Sequence, residues 1–261
     1  MKKFWEFKAE GKEPDRGELY LYGEISDQSW WGDEVTPALF AQELSALGEI
    51  KELDMYVNSP GVDVFAGMSI YNILNRHTAQ VTAHIDGLAA SAASAIVMAA
   101  DKIIMPQNAT LMIHNASVSI YGQAEKLRTM ADELDRINGQ LADIYAARTG
   151  ADKEEIKKWM AEETWMDGVQ ALEKGFADEM TENKQIAACA EEQKWFASYQ
   201  HPPKKQEKEP PKGGFFAPEK QAEVQGGDPE PVADKEKPDL NGLADQKKRF
   251  YQTRKKLLKG C

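Results

Sequence analysis

Hydrophobic and polar residues alternate in short runs over roughly the first 185 residues, and the period of the pattern switches between two and about 3.6. Runs of strand type occupy residues 18–25, 53–57, 81–85, 102–105 and 110–113. Runs of helical type occupy residues 36–47, 66–74, 87–100, 123–148, 151–160 and 169–174. Strands that alternate with helices through right-handed crossovers predict a layered α/β domain.

The longest predicted helix, 123–148, ends before Gly150 and carries apolar residues at helical spacing. These residues are Leu127, Met130, Leu134, Ile137, Leu141, Ile144 and Tyr145. Packing onto the helix's own domain is one explanation of such a stripe. The interleaved charged residues would be solvated or would pair across a two-fold interface.

The composition changes sharply near residue 200. Residues 202–238 contain eight of the twelve prolines, together with many Lys, Glu, Gln and Gly residues. This composition predicts a disordered linker, because it cannot bury enough apolar surface to offset the loss of chain entropy. Residues 245–260 then carry seven basic side chains and no acid after Asp245, which predicts a short basic amphipathic helix. We therefore divide the chain into 1–15, a domain at 16–185, a linker at 186–240 and a basic tail at 241–261.

Composition and charge exclude several classes of protein. A net charge of -11 argues against general nucleic-acid binding, and no apolar segment has the length of a membrane span or the form of a secretory signal. Two cysteines and four histidines form neither a disulfide framework nor a metal-ligand pattern, so we expect no metal and no cofactor. A cytoplasmic, reduced protein fits these features best.

The most informative segment is the run of small residues at 86–99. It follows a predicted strand and passes through Gly87 to Ser91, where the strand should give way to a helix. A serine at such a junction exposes its hydroxyl beside the unpaired N–H groups of a helix start, which is what a hydrolase nucleophile requires. An ordinary buried helix also explains these small residues, and if the run does hold a nucleophile, the pattern alone does not distinguish Ser91 from Ser94.

A nucleophile requires a base, a carboxylate and an oxyanion hole elsewhere in the chain. His114 follows a predicted strand, and the carboxyl ends of strands border the binding crevice in α/β sheets. Pro60 and Gly61 follow another strand and predict a tight turn that directs an N–H into the same cleft. The acids at 162–163 lie in a connection between helices, but spacing alone does not choose among the 43 acids.

Together these segments resemble the ClpP serine peptidases, and most closely the ClpP-like head maturation (prohead) proteases of phages and prophages. The resemblance covers about residues 15–185 and rests on five motifs in family order. These are Asn58–Gly61, Gly67–Tyr71, Gly87–Ser91, Met112–Asn115 and Ala171–Asp178. It implies the ClpP/crotonase-like layered α/β fold of repeated β-β-α units with a protruding handle helix, here followed by a disordered C-terminal tail.

The resemblance also implies a role for each site residue. Ser91 would be the nucleophile, His114 the general base, and Glu163 the carboxylate that holds the imidazole. The backbone N–H groups of Val62 and Ala92 would form the oxyanion hole. Family members often carry glycine where this chain has Val62, and valine is tolerable there if its φ stays negative. Glutamate in place of the family's aspartate adds one methylene, which makes Glu163 the weakest assignment.

Three functions are then open. The first is a serine endopeptidase of phage capsid maturation, assembled as a ring of six or seven copies, whose basic tail binds acidic capsid or scaffold proteins. The second is the proteolytic subunit of an ATP-dependent Clp-type protease, which would need an AAA+ unfoldase. The third is a non-catalytic scaffolding ring. The first two act on polypeptide substrates, and none involves a membrane or a specific nucleic acid.

Overall fold

A computed structural model describes residues 3–9, 15–26, 36–182 and 199–202 of the chain. The predicted disordered linker at 186–240 lies outside the described residues except for 199–202, and the predicted basic tail at 241–261 lies wholly outside them. The described part is a mixed α/β domain, as the sequence predicts.

Within the described ranges, eight strands form one sheet, and six helices connect or flank them. The strands are β1 (Trp5–Ala9), β2 (Arg16–Ile25), β3 (Glu52–Val62), β4 (Gln80–Ala90), β5 (Lys102–Pro106), β6 (Thr110–Ile113), β7 (Thr164–Met166) and β8 (Glu179–Thr181). The helices are α1 (Pro37–Ala46), α2 (Val64–Asn75), α3 (Ala92–Val97), α4 (Ala124–Thr149), α5 (Lys153–Ala161) and α6 (Gly168–Glu173).

The central strands run parallel in the order β2–β3–β4–β5, with β1 and β8 at the two ends. Each crossover between neighbouring parallel strands carries one helix: α1, α2 and then α3. Apolar residues on these strands, such as Leu21, Met55 and Ile85, are fully buried against the helices. The carboxyl ends of β3, β4 and β6 therefore meet along one edge, where polar side chains can be held by a rigid core.

Residues 87–90 belong to a strand, so the prediction of a helix from 87 to 100 was wrong at its start. β4 continues to Ala90 because its last residues pair with β6, with Leu88 opposite Thr110 and Ala90 opposite Met112. The pairing satisfies backbone groups that a helix would otherwise satisfy, so tertiary context overrides the small-residue pattern. The helix itself is only Ala92–Val97.

The predicted tight turn at 58–61 is instead a continuation of β3. The strand runs to Val62, with register shifts against β2 and against β4 near Asn58 and Ser59. Proline lacks the N–H that a central strand needs, and such irregularities are where strands accommodate it. The irregular end of β3 turns its last residues toward the end of β4.

The first strand lies before residue 16, where the sequence analysis began the domain. β1 pairs antiparallel with β2. The Trp5 side chain is 2% exposed, and its indole N–H donates to Glu43 on α1 at 2.7 Å. The segment before residue 16 thus extends the sheet and seals one end of the core. Strands β7 and β8, of three residues each, also escaped the sequence analysis because they are too short to show a period.

Helix α4 packs on its own domain along only half of its length. Ile137, Leu141 and Tyr145 in the second half are buried, and the Tyr145 hydroxyl lies 2.9 Å from Ser94 Oγ on α3. Leu127 in the first half is 42% exposed. Packing within the domain therefore explains the second half of the apolar stripe and leaves the first half uncovered. None of the helices in the described ranges has both the length and the apolar composition of a membrane span.

Gly67 on α2 makes the contact that brings α2 close to α3. A Cβ at this position would lie 2.9 Å from the Ala92 Cβ and 3.2 Å from the Ala92 carbonyl oxygen. We expect Gly67→Ala to lower the free energy of unfolding by about 1–3 kcal/mol, because overpacking forces the backbone apart. Urea denaturation measures the change.

Gly139→Ala is the matched control. Gly139 also lies inside a helix, α4, but nothing lies within 4 Å of its ideal Cβ. Alanine there should raise the free energy of unfolding by about 0.5–1 kcal/mol through its better helix propensity. Equal effects of the two substitutions would show that close packing at Gly67 is unimportant.

Candidate active site

Ser91 occupies the single residue between the end of β4 and the start of α3. Its backbone has φ 54° and ψ -126°, a conformation that residues other than glycine rarely adopt. The Ser91 N–H donates to the Met112 carbonyl at 3.1 Å, while the Ser91 carbonyl accepts from the Ser94 N–H and Oγ. The sharp turn lifts the hydroxyl out of the strand and leaves it partly exposed. Ser94 is fully buried, so the structure separates the two candidate serines.

His114 follows β6, which pairs directly with the end of β4. This pairing brings its Nε2 to 2.7 Å from Ser91 Oγ. The distance lets the imidazole accept the hydroxyl proton when Nε2 is unprotonated. A base and a hydroxyl are therefore in direct contact at the strand ends.

Two effects on the pKa of His114 oppose each other. Burial disfavours the imidazolium and lowers the pKa, while the negative charge of Glu163 raises it, and the net shift is downward from the ordinary value. An imidazole with a lowered pKa is neutral at pH 7. It is therefore available there as a proton acceptor.

Glu163 lies between α5 and β7 in a tight connection with φ 51° and is 8% exposed. The described hydrogen bonds of its carboxylate come from the Trp165 indole at 3.2 Å and from two backbone N–H groups further along the chain. Those N–H groups belong to Gln200, at 2.9 Å, and His201, at 2.6 Å. Among the described residues, no hydrogen bond joins Glu163 to His114.

The Glu163 carboxylate is ionised despite its burial. Burial opposes ionisation, but hydrogen bonds from His201, Gln200 and Trp165 and the charge of His114 outweigh it and lower the pKa. The carboxylate thus acts on His114 through its electric field and not through a hydrogen bond. This arrangement differs from the expectation that Glu163 holds the imidazole directly.

Gly61 packs against the backbone around Ser91. A Cβ at Gly61 would lie 2.6 Å from the Ala90 carbonyl oxygen, 2.7 Å from the Ala92 nitrogen and 2.8 Å from the Ser91 Cβ. Only glycine can approach so closely, and its φ of 84° also favours glycine. Ala92 begins α3, so its N–H is among those that have no partner within the helix. The end of β3 and the start of α3 therefore meet beside the serine.

Val62 does not have the negative φ that was the condition for tolerating valine at this position. Its φ is 126°, where a β-branched side chain is strongly disfavoured. Val62 is the last residue of β3, still paired with Ile25, and its side chain is 63% exposed. The positive φ gives a physical reason for a glycine here, and this chain instead holds a valine in that conformation under strain.

A short segment further along the chain, Tyr199–Pro202, contacts Pro60, His114 and Glu163; we call it the strap. The Tyr199 hydroxyl donates to the Pro60 carbonyl, and its ring packs edge-on against His114 and Trp165 at centroid distances of 5.6 and 5.2 Å. This contact could not be predicted from the sequence, because the strap lies within the segment that its composition assigns to the linker. An aromatic residue at the border of the proline-rich stretch was the one available signal.

Two of the other histidines, His84 and His77, make their described contacts elsewhere. His84 on β4 stacks on Tyr56, and its Nε2 lies 3.0 Å from Asp54 Oδ1. His77 follows α2, and its Nδ1 accepts from the Ala79 N–H at 3.1 Å. His201 contributes its backbone N–H to Glu163.

Comparisons with known proteins found related sequences. A family model described as Clp protease matches residues 15–184. The chain is 31% identical over 161 residues to the ATP-dependent Clp protease proteolytic subunit of Streptococcus sanguinis (strain SK36), a match that covers 59% of this chain and 82% of that protein. It is 32% identical over 170 residues to the protein of the same name from Ligilactobacillus salivarius (strain UCC118), covering 64% and 83%.

Replacing Glu163 tests its electrostatic action on His114. Because the charge of Glu163 raises the pKa of His114, Glu163→Gln should lower that pKa further below the ordinary value. The pH at which the imidazole is half protonated, measured by NMR of its ring protons, should therefore move to lower pH. Glu162→Gln, on the neighbouring exposed residue, is the control and should leave that pH unchanged. A rise with Glu163→Gln would contradict the electrostatic argument.

Replacing Val62 tests the backbone strain. Glycine should relieve strain of about 1–3 kcal/mol at a cost of about 0.5–1 kcal/mol in chain entropy. We expect Val62→Gly to raise the free energy of unfolding by about 1 kcal/mol, measured in urea. Val64→Gly, two residues further on in ordinary helical backbone, should lower it. A loss of stability with Val62→Gly would show that this conformation carries no strain.

Proposed function

The chain belongs to the Clp protease family of serine peptidases, and from that premise we propose that it hydrolyses peptide bonds through an acyl-enzyme on Ser91, with His114 as general base. The observation that carries the proposal is the 2.7 Å contact between Ser91 Oγ and His114 Nε2. The hydroxyl and the imidazole are in reach of each other before any substrate binds, so proton transfer needs no rearrangement.

In the proposed reaction His114 Nε2 removes the proton of Ser91 as the serine oxygen attacks the scissile carbonyl. The tetrahedral intermediate collapses when the imidazolium returns the proton to the leaving amine, and the carbon–nitrogen bond breaks. Water then attacks the ester with the imidazole again acting as base, which releases the acid and restores the serine. The negative charge of Glu163 stabilises the imidazolium in both steps.

The proposed oxyanion hole consists of the N–H groups of Val62 and Ala92. Support comes from the close packing of Gly61 on the Ala90–Ala92 backbone, which brings the peptide before Val62 beside the start of α3. In a serine protease one such donor is worth about 2.7–4 kcal/mol of transition-state stabilisation. A hole made of backbone groups explains why the strained conformation of Val62 is retained.

The proposed substrate is an extended polypeptide that adds to the segment after His114. Residues 117–122 form no strand and are mostly exposed, and no backbone hydrogen bond of these residues is found within the described chain. Asn115 and Ala116 are fixed by bonds to Met160 and Asn138. A backbone that is anchored at one end and unpaired beyond it suits the addition of a substrate strand.

We assign the activity to phage capsid maturation, in a ring of identical subunits. The uncovered first half of α4, with Leu127 exposed, supports contact between copies through this helix. The basic residues at 247–259 support delivery of the protease to acidic capsid or scaffold surfaces. The second candidate is the proteolytic subunit of an ATP-dependent protease working with an AAA+ unfoldase, which the names of the two relatives favour.

Labelling with a fluorophosphonate tests the proposed chemistry. The wild-type protein should carry one label, which mass spectrometry places on Ser91, and Ser91→Ala should lose both labelling and peptide hydrolysis, the latter by about 10⁴–10⁶-fold. Ser69→Ala is the control, because the described hydrogen bond of its hydroxyl goes to the Phe65 carbonyl on α2. An unlabelled wild-type protein would favour the non-catalytic ring.

A protein degradation assay distinguishes the two peptidase functions. Degradation of a folded protein only when an ATPase is added would favour the ATP-dependent protease. Cleavage of capsid or scaffold protein without an ATPase, lost when the basic residues at 254–259 are changed to glutamine, would favour capsid maturation.

A further inference from the structure

The strap contacts three separate parts of the site. The Tyr199 hydroxyl bonds the Pro60 carbonyl beside the Gly61–Val62 peptide, and its ring covers one edge of His114. The next two backbone N–H groups bond the two oxygens of Glu163. A single four-residue segment therefore touches the proposed base, the proposed carboxylate and Pro60, which lies two residues before the proposed oxyanion donor Val62.

An apolar contact anchors the strap. The Tyr199 ring packs with Trp165 against the buried side chains of Leu88, Ala90 and Met112, at the ends of β4 and β6. Burial raises the pKa of the Tyr199 hydroxyl, with a further contribution from the charge of Glu163. The hydroxyl is therefore a neutral hydrogen-bond donor at physiological pH, as the bond to Pro60 requires.

The strap and the imidazole compete for the same carboxylate. Trp165 and the two strap N–H groups supply three hydrogen bonds to Glu163, and such bonds to a charged group are among the strongest in proteins. They also lower its pKa, so the carboxylate becomes a weaker acceptor. Consistent with this competition, the described structure has no bond from His114 to Glu163.

We propose that the strap is an intramolecular restraint on the active site, holding the Glu163 carboxylate on its own backbone N–H groups and away from His114. Displacement of the strap frees Glu163 to accept a hydrogen bond from the imidazole Nδ1–H and uncovers the edge of the ring that Tyr199 protects. The peptidase is therefore slow with the strap bound and faster without it. This inference rests on the proposed role of Ser91 and His114.

Proline substitutions in the full-length protein remove the two N–H groups, and each also fixes φ at about -65°. Gln200→Pro and His201→Pro each delete one donor to Glu163, because proline has no N–H. Gln200→Ala and His201→Ala are the matched controls, since they change the side chain and keep the donor. Tyr199→Ala and Tyr199→Phe form a second pair: alanine removes the whole anchor, and phenylalanine removes only the bond to Pro60.

The measurement is the rate at which a fluorophosphonate labels Ser91, followed from pH 5 to 9. We expect the double proline variant and Tyr199→Ala to label about tenfold faster than wild type, with the double alanine control near the wild-type rate. The midpoint of the pH profile should also move to higher pH. The groups facing His114 are Ser91, Glu163 and Tyr199, and both the uncovered ring and the new bond to Glu163 favour the imidazolium.

The faster labelling of the double proline variant must also depend on Glu163. In a Glu163→Gln background the double proline substitution should no longer accelerate labelling, because the charge that it frees is absent. Wild-type or slower labelling in both the proline variants and Tyr199→Ala would overturn the restraint and make the strap a supporting part of the site. Absence of label from Ser91 in wild type and every variant would instead refute the proposed nucleophile, and the inference would fail with it.

Discussion

The close approach of Gly61 to the backbone around Ser91 is the contact on which the rest of the site depends. A side chain at Gly61 would collide with the carbonyl of Ala90, the Ser91 Cβ and the nitrogen of Ala92. Its absence allows β3 to end against the β4–α3 junction, where Ser91 is held in a disfavoured backbone conformation. The pairing of β6 with the end of β4 then fixes His114 at hydrogen-bond distance from the serine. Three strand ends thus bring Ser91, His114 and the Gly61 backbone together.

Local backbone strain accompanies this alignment. Among the described residues, the non-glycine residues with positive φ are Val62, Ser91 and Glu163, and all three belong to the proposed site. Strain of this kind persists only where the surrounding structure fixes the conformation. Here the buried sheet and the tight packing of α2 on α3 provide the fixed surroundings.

The fold and the positions of Ser91 and His114 could be predicted from the sequence, but other features of the site could not. The layered fold and the position of Ser91 at a strand–helix junction follow from short-range patterns, and His114 at a strand end follows from the same periodicity. The continuation of β4 through Ala90 depends on pairing with β6, which no local pattern reveals. The backbone of Val62 depends on how Gly61 packs, and the strap depends on a contact between residues 139 positions apart, Pro60 and Tyr199. Long-range packing decided these features, so propensity and spacing could not reveal them.

The central claim is that Ser91 attacks the substrate carbonyl and carries the acyl group. Rapid-mixing kinetics with an activated peptidyl ester, followed by acid quenching and mass spectrometry, tests it most directly. We expect an initial burst in which about one alcohol is released per subunit, and we expect the mass of the acyl group on the peptide that contains Ser91. Turnover of the ester without a burst and with Ser91 unmodified would contradict it.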